Sequence, residues 1–216
     1  MLFDKYQVSL TFTEPLLGGA PKNPKVFETY LAGRAAKRMT PEGRVSAEAL
    51  SELMAEEAGA LPEGDEKGWT GFYSDDKGVF LWDNQIKGFF KEAGDILKNA
   101  LGEGESISAL RSKLDNFLYV FPRRIRPVDA QVLEPLERPL RAMTMQGPRV
   151  SLIRSDQIAA GASVSFELEV LHVVQKGKVV ISQELIEEIL SFGRLKGLGQ
   201  WRNGSFGRFT YTLAKA

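Results

Sequence analysis

Between Gly193 and Phe209 the chain reads Gly-Arg-Leu-Lys-Gly-Leu-Gly-Gln-Trp-Arg-Asn-Gly-Ser-Phe-Gly-Arg-Phe, with five glycines in its first fifteen residues. Gly197, Gly199, Gly204 and Gly207 remove side-chain obstruction, so backbone N–H groups can come close to an anionic ligand. Arg194, Lys196, Arg202 and Arg208 supply cations for phosphate oxygens, and Trp201 and Phe206 offer ring faces for base stacking. A glycine-rich hairpin could do no more than turn the chain. Charge and aromatics coincide here, however, and that favours binding. The segment is not a Walker loop, because Gly-x4-Gly-Lys-Ser/Thr is absent. Nor is it a dinucleotide fingerprint, because it follows a predicted helix and precedes a predicted strand.

Two further basic groups have the right chemistry for RNA. Lys87 lies one turn into a predicted helix, beside the positive end of the helix dipole, with Lys91 one turn later on the same side. A solvated helix face explains them equally well. From Arg123 to Arg154 there are seven arginines against three acids, among them Arg123, Arg124, Arg126, Arg138, Arg141 and Arg149. In this segment and in residues 194–208 together, arginine outnumbers lysine ten to one, which suits bidentate phosphate contacts. Met143 and Met145 in the same stretch read as flexible gap-filling packing residues.

Support for catalysis is thin. There are no cysteines, which excludes disulfides, thiolate nucleophiles and sulfur-based zinc sites. His172 is the single histidine, so one imidazole would have to carry any proton shuttle. A strand-end role explains it more simply. Asp75-Asp76 before Lys77-Gly78 reads as a turn rather than a metal pair, and Asp83 or Asn84 as a helix cap. The sequence therefore points to no metal and no cofactor.

The 216 residues, 43% of them hydrophobic, can bury one sizeable core. Net charge is zero, against the blanket basicity of many duplex binders, but the charge is segregated. Eight acids fall between Glu42 and Glu66, while residues 194–208 hold four basic residues and no acid. No run approaches the roughly 18 apolar residues of a membrane span, and no signal peptide is evident at the N-terminus, so a cytoplasmic location is expected.

These groups need a scaffold, and the periodicities supply one. Tyr6, Val8, Leu10 and Phe12 alternate with polar residues as in a strand with one buried face. Residues 22–66 read as an acidic helical insertion: a short helix from Pro24 to Ala36, then one from Ser46 to Ala58 stopped by Gly59. Ile86, Phe89, Phe90, Ala93, Ile96 and Leu97 make one helical stripe. A short helix around Ser108–Asp115 and a buried strand, Phe117–Phe121, follow. Residues 122–154 form a proline- and arginine-rich arm, extended or hairpin-like. A strand from Ser163 to Val170, a helix capped by Ser182 and closed by Gly193, and a strand from Phe206 to Leu213 complete the chain. Without the insertion the order is strand, helix, strand, arm, strand, helix, strand. That predicts an α+β fold of the ferredoxin-like (RRM-like) kind, with an antiparallel sheet and two helices on one face.

Ile86-Lys87-Gly88 at the start of the first core helix, together with Gly204-Ser205-Phe206-Gly207-Arg208-Phe209 near the C-terminus, resembles the RAMP superfamily of CRISPR-associated proteins. The chain departs from that pattern at Trp82-Asp83-Asn84-Gln85, where members carry Pro-Gly-Ser-Ser. The motifs cover about a fifth of the chain. The chain also resembles short bacteriophage and prophage proteins. The RAMP resemblance implies a single modified ferredoxin-like domain that grips crRNA-like RNA by its backbone, as backbone subunits of CRISPR complexes do.

The expected function is therefore non-catalytic binding of single-stranded RNA, with self-association or other subunits of a ribonucleoprotein complex as further partners. One alternative is a phage-encoded interaction or inhibitor protein that uses the acidic insertion as its contact surface. The other is a metal-independent endoribonuclease resting on His172.

Overall fold

The structure, a computed structural model, describes residues 2–23, 25–27, 47–62, 64, 68–98, 107–145, 147–175 and 177–216. In its first half the elements are β1 (Phe3–Phe12), β2 (Leu16–Leu17), β3 (Ala20–Pro21), α1 (Ala47–Gly59), β4 (Trp69–Gly71), β5 (Tyr73–Asp75), β6 (Gly78–Trp82) and α2 (Asp83–Leu97). Then come α3 (Leu110–Phe117), β7 (Leu118–Phe121), β8 (Arg124–Ile125), β9 (Val132–Thr144), β10 (Gly147–Ile158), β11 (Ser163–Leu171), β12 (Val174–Gln175) and β13 (Lys178–Val179). Helix α4 (Gln183–Ser191), two 3-10 turns (Phe192–Arg194 and Arg202–Gly204) and β14 (Phe209–Lys215) end the chain. The fold is mixed α+β with several antiparallel sheets. Its contacts divide it into two units: Met1–Leu16, Phe80–Gln131 and Ile158–Ala216 form the first, Leu17–Val79 and Val132–Gln157 the second.

The first unit is organised by a four-stranded sheet in the order β14-β1-β11-β7, antiparallel at every pairing. The alternation along β1 sets its register. Val8 faces Phe166 and Leu10 faces Val164, while Leu168 of β11 faces Val120 of β7. All of these are buried, which places them on one face of the sheet. Helix α2 buries Ile86, Phe89, Phe90, Ala93 and Gly94; α4 buries Leu185, Ile186, Ile189 and Leu190. The Phe89 ring meets Phe209 of β14 at 5.1 Å between centroids, and Phe209 meets Phe12 of β1 at 6.4 Å, so α2 packs on that same face. Helices α2 and α3 touch through Gly94, where any Cβ would lie 2.4 Å from Leu114.

Along β1 and β11 the other face of this sheet is polar. Gln7 donates to Glu167 at 2.9 Å, the Ser9 and Ser165 hydroxyls meet at 3.0 Å, and Lys5 pairs with Glu169.

In the second unit β9 and β10 form a long hairpin, β4 runs parallel to β10, and β3 pairs antiparallel with β4. Asp156 accepts from Trp69 Nε1 at 2.7 Å and pairs with Lys22 at 2.9 Å, with the Lys22 ammonium also 4.1 Å from the Trp69 ring centroid. Gly18 and Gly71 pass so closely that a Cβ on Gly18 would fall 2.3 Å from the Gly71 carbonyl carbon. Of the expected 22–66 helices, Asn23 starts a helical turn at residues 25–27, and α1 ends at the predicted Gly59; residues 28–46, including Ser46, lie outside the described residues.

Four local expectations are corrected. Phe117 ends α3, so β7 begins at Leu118 and alternates: Leu118 and Val120 are buried, whereas Tyr119 is 42% and Phe121 45% exposed. Phe206 sits in a turn, and the last strand starts at Phe209. Asp83 is the first residue of α2 rather than its cap; Trp82 holds the cap position and its N–H donates to Gln85 Oε1 at 2.9 Å. Met143 is 84% exposed and Met145 fully exposed, because they fall at the hairpin tip, where strand pairing ends and no other described residue covers them.

Candidate nucleic-acid interface

The start of α2 gathers one basic group. Asp83 N–H, in its first turn, donates to the Arg123 carbonyl at 2.9 Å, and Trp82 pairs with Arg124 across β6 and β8. Phe80 and Trp82, both buried, meet edge to face at 4.7 Å. Three guanidinium groups lie against them: Arg123 over Trp82 at 5.2 Å, Arg124 over Phe80 at 5.2 Å and Arg126 over Phe80 at 5.6 Å. Such contacts hold the planar guanidinium groups over ring faces.

One turn into α2, the Lys87 ammonium lies 5.0 Å from the Tyr119 ring centroid and 3.8 Å from Asp115; Lys91 pairs with Asp115 at 2.9 Å. Burial pushes the Lys87 ammonium below its usual pKa, with Asp115 pulling the other way and Lys91 adding to the fall. An approaching phosphate would favour the charged form. Gly88 follows on the next helical position, partly exposed, and a Cβ there would meet nothing within 4 Å.

The other flank of α2 carries the glycine-rich loop. Glu92 pairs with Lys196 at 2.5 Å and also with Arg202. Burial pushes the Glu92 carboxyl up, but the Lys196 hydrogen bond and the Arg202 charge outweigh it and hold the group below the usual carboxylate range. Gly199, Trp201, Ser205 and Gly207 all adopt positive φ, at 77°, 53°, 75° and 65°. For Trp201 that conformation is strained by roughly 1–2 kcal/mol; its indole rests against the edge of Phe206 at 6.2 Å. The loop is anchored to the first strand's exit: Gly207 N–H donates to the Pro15 carbonyl and Thr13 N–H to the Arg208 carbonyl. Arg208 Nε is buried and makes no hydrogen bond among the described residues.

The remaining predicted residues have surroundings of their own. Arg194 lines an open cleft of about 620 Å³ together with Glu184, Glu187 and Glu188, so its surroundings are acidic. Gly204 is exposed at the end of a 3-10 turn. Arg141 is exposed on β9 and belongs to the second unit. His172 follows β11, its Nδ1 2.8 Å from Asp4 Oδ2, and Lys215 reaches the other Asp4 oxygen at 2.9 Å. That cluster sits at the Phe3 end of β1, whereas the loop joins the Phe12 end, about 30 Å away at a strand's rise per residue. Asp75 accepts from Lys77 N–H at 2.9 Å, the turn geometry expected. No group of three or more His, Asp or Glu side chains able to hold a metal ion occurs among the described residues. No helix there is long and apolar enough to cross a membrane.

Tyr119, Phe121 and Glu92 were not singled out in the sequence. Alternation within Leu118-Tyr119-Val120-Phe121 is the signal for the first two; Glu92 had none, because its partners are more than 100 residues away.

No protein-family model matches the chain, and no curated protein matches it. Among solved structures, it is similar to a chain of a type III-B Cmr-beta complex bound to cognate target RNA, at 12% identity and a TM-score of 0.48, over 99% of this chain and 61% of that one. The present chain thus spans under two thirds of that neighbour's length. It is also similar to a chain of a type IV-B CRISPR complex, at 10% identity and a TM-score of 0.45, over 97% of this chain and 90% of that one.

Proposed function

We propose that the first unit is a ferredoxin-like domain of the RAMP kind that holds single-stranded RNA by its phosphates, without catalysing a reaction. The strand order β14-β1-β11-β7, with α2 and α4 as crossovers, supports the ferredoxin-like reading. One observation carries the binding reading. Cations from three segments remote in sequence, residues 87–91, 123–126 and 196–202, are set on or beside the single helix α2.

In this reading a phosphate backbone crosses the first turns of α2. Lys87, Arg123 and Arg126 contact it on one flank, and Lys196 and Arg202 on the other. Neighbouring copies, or other subunits, then extend along the same RNA. The polar sheet face, whose Glu167 and Glu169 face away from the helices, is left to solvent or to bases rather than to phosphates. The position of His172 favours a binding role over cleavage, since its dyad with Asp4 is a strand's length from the loop.

The test is fluorescence anisotropy of a single-stranded RNA of about 30 nucleotides across a salt series. The wild type is compared with a Lys87→Ala/Arg123→Ala/Arg126→Ala variant and with a Lys196→Ala/Arg202→Ala variant. Steep salt dependence, with a slope reduced by about 0.7 for each phosphate contact removed, is the expected result. No binding by the wild type at low salt, or slopes that neither variant changes, would sink the reading.

A further inference from the structure

Two large aromatic rings stand out of the first unit without a covering layer among the described residues. Tyr119 and Phe121 are 42% and 45% exposed and occupy alternate positions on the outward face of the edge strand β7. Successive outward residues of a strand lie about 6.8 Å apart, so two rings at this spacing can each take one nucleobase of an extended strand. Exposed rings of this size cost solvation free energy and contribute nothing to a core, which marks them as a contact surface when charge organises around them.

The charge around them is organised by side. On the helix side, the Lys87 ammonium lies 5.0 Å from the Tyr119 ring, and Arg123 follows Phe121 by two residues. On the sheet side, Glu169 faces Tyr119 and Glu167 faces Phe121 across the β7–β11 pairing. Lys5 and Gln7 already engage both carboxylates, so the sheet side offers no net attraction to a phosphate. A strand laid here can place its phosphates only towards α2 and β8, with its bases over the rings.

We propose that Tyr119 and Phe121 form a stacking step for unpaired nucleobases and so orient the RNA on this unit. The inference rests on the RNA-binding reading above and adds to it the face of the RNA that is read. Stacking on a ring face tolerates any base, so the step gives orientation rather than sequence choice.

The experiment compares wild type, Tyr119→Ala, Phe121→Ala and Tyr119→Phe, using the RNA of the salt series with 2-aminopurine substituted at single positions. Each alanine variant is expected to bind roughly 5- to 100-fold more weakly at every salt concentration, with the salt slope unchanged, because a ring and not a phosphate contact is lost. Tyr119→Phe keeps the ring and should bind as the wild type does. The wild type should quench 2-aminopurine at positions that lose the quenching in the alanine variants. Alanine variants that bind within twofold of a wild type that does bind overturn the stacking step alone. A wild type that does not bind overturns the RNA reading, and the stacking step with it.

Discussion

Gly197 and Gly207 meet backbone to backbone. A Cβ on Gly197 would lie 2.0 Å from the carbonyl carbon and oxygen of Gly207, and the intervening Leu198 N–H donates to that same oxygen at 2.9 Å. These glycines therefore close the loop on itself. The sequence suggested that they clear space for a ligand; their first use is internal, and the surface they create is secondary to that.

Gly197→Ala should accordingly lower stability by about 1–3 kcal/mol, as overpacking against backbone does. Thermal unfolding reads the loss. Amide exchange should localise it to Leu198 and Gly207 rather than to β1 or β11. An alanine accepted without loss would mean that the loop opens freely.

Gly88→Ala should move two readouts in opposite directions. The helix gains about 1 kcal/mol from the better helix former, since no neighbour obstructs the added methyl group. RNA binding should weaken, because the methyl group lies on the exposed strip between Lys87 and Glu92, where a phosphate backbone would approach the helix. A higher melting temperature with unchanged affinity would place the RNA away from this strip.

Glu92→Gln should release Lys196 and Arg202. The pair is partly exposed, so the cost to stability is at most about 1 kcal/mol. With both cations freed from competition with Glu92, RNA affinity at low salt should rise. Weaker binding at every salt would show instead that Glu92 serves the ligand by holding both side chains in place.

Asp4 ties His172 and Lys215 at one end of the sheet. The His172 hydrogen bond, then that of Lys215, holds the Asp4 carboxyl below its ordinary value of 3.8. A carboxylate with a lowered folded-state pKa stabilises the fold above the unfolded value, and that contribution disappears as pH falls through the folded value. Asp4→Asn should therefore remove part of the acid sensitivity expected as pH falls below about 3.8. Unfolding midpoints measured between pH 2 and 6 on both proteins test this. Identical curves would mean that the contacts are not maintained in solution.

The elements that could be read directly were those whose signal is local. The alternation of β1 and β11, the apolar stripe of α2 and the Ser182 cap, whose Oγ accepts from Leu185 N–H at 3.3 Å, each follow from a few neighbouring residues. Five consecutive apolar residues from Phe117 to Phe121 concealed a helix end and two outward rings, because an unbroken apolar run does not state which side faces water. The candidate site was legible as an inventory of cations but not as an arrangement. Glu92 and Arg202 are 110 positions apart, and nothing local to either signals the pairing. Likewise the arginines at 123–126 read as an open arm, whereas contact with Phe80 and Trp82 fixes them at the foot of α2.

The register of β1 has a consequence for how the molecule is made. Its partners are β11 and β14, so Lys5 waits for Glu169, 164 positions later, and Tyr6 for Lys215. During synthesis a strand rich in Val, Leu and Phe remains without either neighbour while both segments of the second unit emerge. Contacts this distant in sequence make closure of the sheet slow relative to helix formation. The nascent chain is thus most vulnerable to mispairing along β1, and removal of β14 would leave that strand with a permanently unsatisfied edge.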